Sequence, residues 1–457
     1  MSLFQRTLFI FRRDLRLEDN TGLIFALKNS KEVICAFIFT PQQIRANPYL
    51  GPHSLQFLLE SLEDLEKQLE PKGGKLYLFY DEPHQIVSKC ILQLNIDAVV
   101  VNCDYTPYSI ERDRLIQAVC EKEKIAFHSL HDALLHPPQA TLKKNGKPYV
   151  VFTPFYRNSS KLDVKEPVKN NFHNYYKGVI GFSKPSSIYG EILPKRELPS
   201  SGGREKALHI LKNMQAFINY ESTRNFPAQD NTTHLSAHLK FTTCSPREVY
   251  QAISQNFGPF EVIRSLYWRD FFTIIAFYFP QVFKGAFDEK YNTLQWSGDL
   301  NKFERWCKGE TGFPIVDAGM RELNQTGFMH NRVRMIVASF LIKDLHINWQ
   351  WGEKYFAQQL SDYDPAINNG NWQWVASTGC DAQPYFRIFN PWNQSIKFDA
   401  ECIYIKKWIP QLADVPPKTI HNWHKQTVAH NSYPIAMLEH SYQAKISLER
   451  FTKAAKN

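Results

Sequence analysis

The chain of 457 residues carries 54 Lys and Arg against 45 Asp and Glu, with 43% hydrophobic and 22% charged residues. That length has room for two or three domains and a large core, and the composition excludes a disordered chain. The net charge of +9 is spread evenly, 26 basic to 22 acidic groups over residues 1–200 and 28 to 23 beyond, so charge by itself is only a weak pointer to a polyanionic partner.

The first fourteen residues do not read as a secretory signal, because the apolar run 8–11 is closed at once by Arg12 and Arg13. Residues 7–11, 33–39, 75–80 and 98–101 are short apolar runs, continuous enough for strands buried on both faces. Between the second and third, Leu55, Leu58, Leu59, Leu62, Leu65 and Leu69 form the stripe of an amphipathic helix. This alternation predicts an α/β N-terminal domain, a doubly wound parallel sheet over residues 1–130. No GxGxxG follows the first strand and no GxxxxGK[ST] occurs, which argues against a dinucleotide fingerprint or a P-loop.

Periodicity then dissolves. Lysines interleaved with Pro154, Pro167, Pro185, Pro194 and Pro199 predict a long connector over 131–200. From 201 to 457 the patterns are helical, most clearly at 316–323, 332–345 and 352–360, so an all-α C-terminal domain is expected. The longest uncharged apolar stretch, 271–279, is too short to span a bilayer. Eight cysteines, at 35, 90, 103, 120, 244, 307, 380 and 402, form no CxxC pair, so buried reduced thiols and a cytoplasmic location are expected. No metal site is expected: His421 and His424 have no Cys or carboxylate at ligand spacing beside them.

Three stretches of the helical half concentrate chemistry. Asp362 to Trp374 holds two carboxylates, three asparagines, a glutamine and two indoles; an Asn/Gly loop capping a helix explains it equally well. Met329-His330-Asn331-Arg332-Val333-Arg334-Met335 opens a helix whose two arginines, two apart, point to different faces, one toward an internal carboxylate and one toward an external phosphate. Tyr267-Trp268-Arg269 could be a packed aromatic with a surface ion pair. With GxSxG and HExxH both absent, a hydrolase is not supported.

Five ordered runs together carry a resemblance: Phe11-Arg12-Arg13-Asp14-Leu15-Arg16-Leu17-Glu18-Asp19-Asn20, Thr232-Thr233-His234-Leu235-Ser236, Tyr267-Trp268-Arg269, Gly327-Phe328-Met329-His330-Asn331-Arg332 and Asn369-Gly370-Asn371-Trp372-Gln373-Trp374. In this order they resemble the photolyase/cryptochrome family, and the run 376–391 looks like the bacterial class I cyclobutane pyrimidine dimer photolyases. The resemblance implies an antenna domain, a linker and a helical domain holding one FAD per chain. It implies light-driven electron transfer to a dimer in UV-damaged DNA, single- or double-stranded, by a monomer with no obligatory protein partner and no membrane. Carried over by position, Asn368, Trp268, Arg334 and Met335 form the catalytic group, with Asn368 facing flavin N5. Tyr220, Thr232, Thr233, His234, Leu235, Ser236, Asp362, Tyr363 and Asp364 join Asn368 in holding FAD. Trp372, Trp349 and Trp296 match the electron-relay tryptophans. Ser265, Trp268, Arg269, Phe328, Asn331, Arg332, Arg387 and Gln394 fall where family members meet DNA.

Three positions depart from the family. Ser265 stands where a Glu is usual and is expected to reach a base only through water, with Asp270 pointing away from it. Phe328 replaces a Trp. Ser109 replaces the Glu of folate-binding members, which leaves the antenna chromophore open between methenyltetrahydrofolate, a deazaflavin and none. A cryptochrome photoreceptor and a (6-4) photolyase are the rival members; Asn368, the short run after Ser441 and Asn331 after His330 argue against them.

Overall fold

A computed structural model describes residues 2–194, 202–257 and 261–456. They form two compact units, one of Met1–Ile218 with Thr233–Tyr278 and one of Asn219–Thr232 with Phe279–Asn457.

The first unit holds five parallel strands, β1 (Phe4–Phe11), β2 (Ser30–Phe39), β3 (Leu76–Tyr80), β4 (Ala98–Asn102) and β5 (Ala126–Leu130), in the order β3-β2-β1-β4-β5. Helices α1 (Thr21–Asn29), α2 (Pro52–Leu69), α3 (Pro83–Leu94) and α4 (Pro107–Lys122) alternate with them. The period of two along β1 divides the core. Phe9 and Phe11 pack with the buried stripe of α1 and α2, whereas Leu8 and Ile10 pack with Ile86, Val87 and Cys90 of α3 and Ile116 of α4. The sheet is therefore covered on both faces, as the continuous apolar runs require. β5 lacks such a run: Ala126, Phe127 and His128 are only half-buried on this edge strand.

The run Phe11 to Asn20 is internal. Arg16, wholly buried, meets Asp132 at 2.8 Å, and Arg247 bridges Asp132 and Asp19, also at 2.8 Å. Burial opposes the charge on Asp132, but Arg16 and Arg247 outweigh it and hold that carboxyl below the usual range. Arg247 lies on α6 (Pro246–Phe257), which precedes α7 (Glu261–Tyr278) in the same unit. The compact units thus do not divide at residue 200. Gly202, Gly203 and Arg204 donate their backbone N–H groups to Glu60, Ser61 and Asp64 of α2, and Leu15 N–H donates to Phe241 O at 3.0 Å.

The connector is more ordered than its sequence implies, although its last residues, 195–200, lie outside the described residues. It carries α5 (Phe152–Ser159), and it bridges β2 at Val33↔Tyr175 and β3 at Leu78↔Lys184.

In the second unit the clear periodic patterns all become helix: α8 (Pro314–Thr326), α9 (Asn331–Ser339) and α10 (Trp349–Gln359). α9 passes into a π-turn, Phe340–Asp344, so the run 332–345 is continuous but not uniformly α. α11 (Pro365–Ala376), α12 (Pro391–Phe398) and α13 (His440–Lys456) follow. No helix among the described residues is long and apolar enough to cross a membrane. All eight cysteines are free; six are buried, but Cys103 and Cys307 are only half-buried.

Candidate active site

The two arginines of α9 do diverge. His330 caps the helix by accepting from Arg332 N at 3.1 Å, which fixes where the first turn begins. Arg334 turns inward: its Nε donates to Met329 O at 2.7 Å, and Nη1 and Nη2 reach both oxygens of Asp362 at 3.2 and 2.9 Å. This fork-to-fork pair sets the orientation of Asp362, whose side chain is 7% exposed. Arg332 turns the other way, donating to Asn225 Oδ1 at 2.7 Å and lying 4.4 Å over the Phe398 ring. Burial lowers its pKa, and so does the like charge of Arg224, a neighbour the sequence reading missed because Arg224 resembles any surface arginine.

Asp362 to Trp374 is mainly helix, not loop. Asp364 caps α11 by accepting from Ala366 N and Ile367 N at 3.0 and 3.2 Å, and Pro365 occupies the first turn. One turn on, Asn368 Nδ2 donates to Glu353 O at 3.0 Å, while its Oδ1 accepts no hydrogen bond among the described residues. Asn369 Nδ2 donates to Glu353 Oε1 at 3.1 Å and to Val282 O at 3.1 Å, and Gln373 donates to Asn369 Oδ1 at 3.0 Å. The adjacent amides thereby divide their work: Asn369 is saturated by protein, and Asn368 keeps an acceptor in reserve.

Burial raises the Glu353 carboxyl to about 7, and the bond from Asn369 offsets only part of this. Between about pH 4.5 and pH 7 the folded state keeps a proton that the unfolded chain has lost, so stability falls as pH rises through that window, by about 3 kcal/mol in all. Glu353→Gln, which still accepts from Asn369, should remove this fall. Urea unfolding of both proteins at about pH 5 and about pH 8 measures it; an unaltered pH response would contradict the assignment.

The three tryptophans expected to form a relay are linked by backbone neighbourhood. Trp372, on α11 and 3% exposed, lies against Gly352 of α10, where a Cβ would sit 2.2 Å from its Cη2 atom. Trp349 precedes Gly352 by one turn on α10 and is also 3% exposed. Ser297 N donates to His346 O at 2.7 Å and Ser297 bridges Ile347, which brings Trp296 beside the segment leading into Trp349. Trp296 is half-buried, so the series runs from interior to surface. Trp306, which the sequence did not single out, is wholly buried and meets Trp372 edge-on at 6.3 Å.

The remaining expected residues of this unit sit as follows. Arg334 lies 5.9 Å over the half-buried Phe328 ring. Asn331 and Arg387 are exposed; Tyr220, Thr232, Met335, Tyr363 and Gln394 are half-buried.

Thr233, His234, Leu235, Ser236, Ser265, Trp268 and Arg269 belong to the first unit. His234 adopts φ +52°, and Leu235 is buried before the short helix Ser236–Lys240. On α7, Ser265 is exposed, and its hydroxyl donates back to Glu261 O at 2.9 Å. Trp268, one turn on, is half-buried. Arg269 requires a correction. It was expected at DNA, but it is 8% exposed, pairs with Asp270 at 3.0 Å and donates to Ala133 O. Those partners turn its guanidinium into the unit, and Asp270 is held there in turn by Leu135 N at 2.8 Å. We assign Arg269 no DNA contact.

A doubly wound parallel sheet unit, followed by a helical unit that carries an internal ion pair, an Asn/Gln-rich helix and a series of indoles, defines a two-part α/β and all-α class. Residues 7–171 match the family model for DNA photolyase, and residues 262–453 match that for the FAD binding domain of DNA photolyase. A deoxyribodipyrimidine photo-lyase of Alkalihalophilus pseudofirmus is 36% identical over 96% of each chain. Among solved structures, a Sulfolobus tokodaii photolyase with two FAD molecules superposes with a TM-score of 0.90 at 42% identity, covering 98% of this chain and 100% of that one. A class III photolyase of Agrobacterium tumefaciens gives 0.91 at 34%, covering 99% and 98%. The chain belongs to the DNA photolyase family.

Proposed function

We propose that this chain splits cyclobutane pyrimidine dimers in UV-damaged DNA under blue light, with FAD as its cofactor. The observation that carries the reading is the Asn368 Oδ1, which accepts no hydrogen bond among the described residues and is held in place by the amide's own Nδ2 bond to Glu353 O. A neutral acceptor fits a protonated ring nitrogen and adds no second anion to a site where Arg334 already neutralises Asp362. FAD, when bound, supplies the light-excited electron that opens the cyclobutane ring and is then returned. Asp362, Tyr363, Asp364, Tyr220, Thr232, Thr233, His234, Leu235 and Ser236 hold it, Arg334 orients Asp362, and Met335, next to Arg334 on α9, belongs to the catalytic group. Trp268 is the flat platform for an extruded pyrimidine pair. Phe328, Asn331, Arg332, Arg387 and Gln394 meet the DNA. Ser265, turned back on its own helix, reaches a base only through water. Ser109 is buried, and its hydroxyl accepts from Thr106 at 2.8 Å; it offers no carboxylate to a folate, so a second, light-harvesting chromophore of another class fits this chain better. Exposing reduced protein and dimer-containing oligonucleotide to blue light tests the reading. Thymines should be restored in light and not in darkness, and their absence in light would overturn it.

Trp296→Phe should abolish light-driven reduction of oxidised FAD by an external reductant and leave repair by chemically reduced protein intact. Absorbance at the flavin band and thymine recovery separate the two. Loss of repair in the reduced protein would make the ring structural.

Arg332→Ala should weaken damaged and undamaged DNA by similar factors and lower the salt slope of binding by about one. Titrations at several salt concentrations read both quantities. Loss of damage preference alone would contradict a phosphate contact.

A further inference from the structure

Trp268 has one face already filled. The Phe152 ring lies against it with centroids 3.6 Å apart and planes 7° from parallel. Phe152 opens α5 in the connector and is 1% exposed. It is braced in turn. Tyr156 lies 5.8 Å from it at 12°, Phe271 meets it at 5.8 Å and 79°, and the Arg264 guanidinium sits 5.7 Å over it. Tyr156 and Trp268 are thus both near-parallel to the Phe152 ring. At that separation the indole cannot tilt without losing contact across its whole face. A flat ligand can stack only on the side away from Phe152.

We infer that Phe152 is a positioning residue for damage recognition, fixing the plane of Trp268 before DNA arrives. An unbraced indole has to be ordered when the extruded pyrimidines stack on it, and that ordering costs affinity; a braced one is already ordered. The connector therefore supplies the back wall of the damage platform. The inference rests on the assignment of Trp268 as that platform.

The test compares Phe152→Leu, Phe152→Tyr and Trp268→Ala for binding to dimer-containing and undamaged oligonucleotides. Phe152→Leu keeps apolar bulk but loses the flat face. It should weaken dimer binding about three- to tenfold and leave undamaged binding, FAD content and repair per bound dimer at saturation unchanged. Phe152→Tyr, which keeps the ring, should stay within about twofold of the parent, well inside one aromatic contact. If Trp268→Ala removes damage preference and Phe152→Leu does not, the inference fails and the platform assignment stands. If Trp268→Ala changes nothing, the platform assignment fails and takes the inference with it. Should Phe152→Leu lose FAD, Phe152→Met carries the same prediction; loss of FAD in both would show Phe152 to be structural and overturn the inference.

Discussion

Replacing Arg334 with Ala should cost the protein about 3 kcal/mol of stability, the lower end for breaking a buried pair, and strip it of FAD. The lower end applies because the Arg334 side chain is 24% exposed, so water relieves part of the loss. Asp362, 7% exposed beside Arg334, would lose the partner of both its oxygens. Arg334→Lys should recover only part of the effect, since an ammonium cannot match both carboxylate oxygens at once. Adding Asp362→Asn to Arg334→Ala should recover part as well, because it removes the stranded charge. Urea unfolding and the flavin absorbance of purified protein give the two readouts. A loss below about 1 kcal/mol with FAD retained would place the pair among surface ion pairs and contradict the account.

The second large effect is expected at Gly352. A methyl group there would stand 2.2 Å from Trp372 Cη2 and 2.5 Å from Leu341 Cδ2, so the indole must move. Gly352→Ala should destabilise by about 1–3 kcal/mol, as overpacked cores do. It should also slow light-driven reduction of FAD, because the displaced ring is the proposed relay member on α11. Thermal unfolding and the reduction rate under constant illumination report separately. A destabilised variant with an unchanged rate would remove Trp372 from the relay.

The sheet was legible because its strands are buried on both faces. β1 to β4 appear as unbroken apolar runs, and the α2 stripe gives Leu55, Leu59, Leu62, Leu65 and Leu69 as core. β5 was not legible, since an edge strand carrying His128 and Ser129 has no run to read. The divergence of Arg332 and Arg334 followed from helical geometry alone. What the sequence could not yield were relations across the chain. Phe152 meets Trp268 from a segment more than a hundred residues away that reads as structureless. Glu353 is an ordinary surface-type residue until burial and the amides of α11 give it a role. Arg269 shares a motif with Trp268, but neighbours in sequence leave a helix in different directions, and this one points to Ala133 and Asp270.

In the proposed reaction at the Asn368 site the electron given by light-excited flavin is returned, so that no reductant is consumed. The most direct measurement takes protein reduced beforehand, removes the reductant without admitting oxygen, and counts dimers repaired per bound FAD under continuous blue light. The account predicts many repaired dimers per flavin, with the flavin still reduced at the end and no repair in darkness. Repair that stops at one dimer per flavin, with the flavin left oxidised, would contradict it.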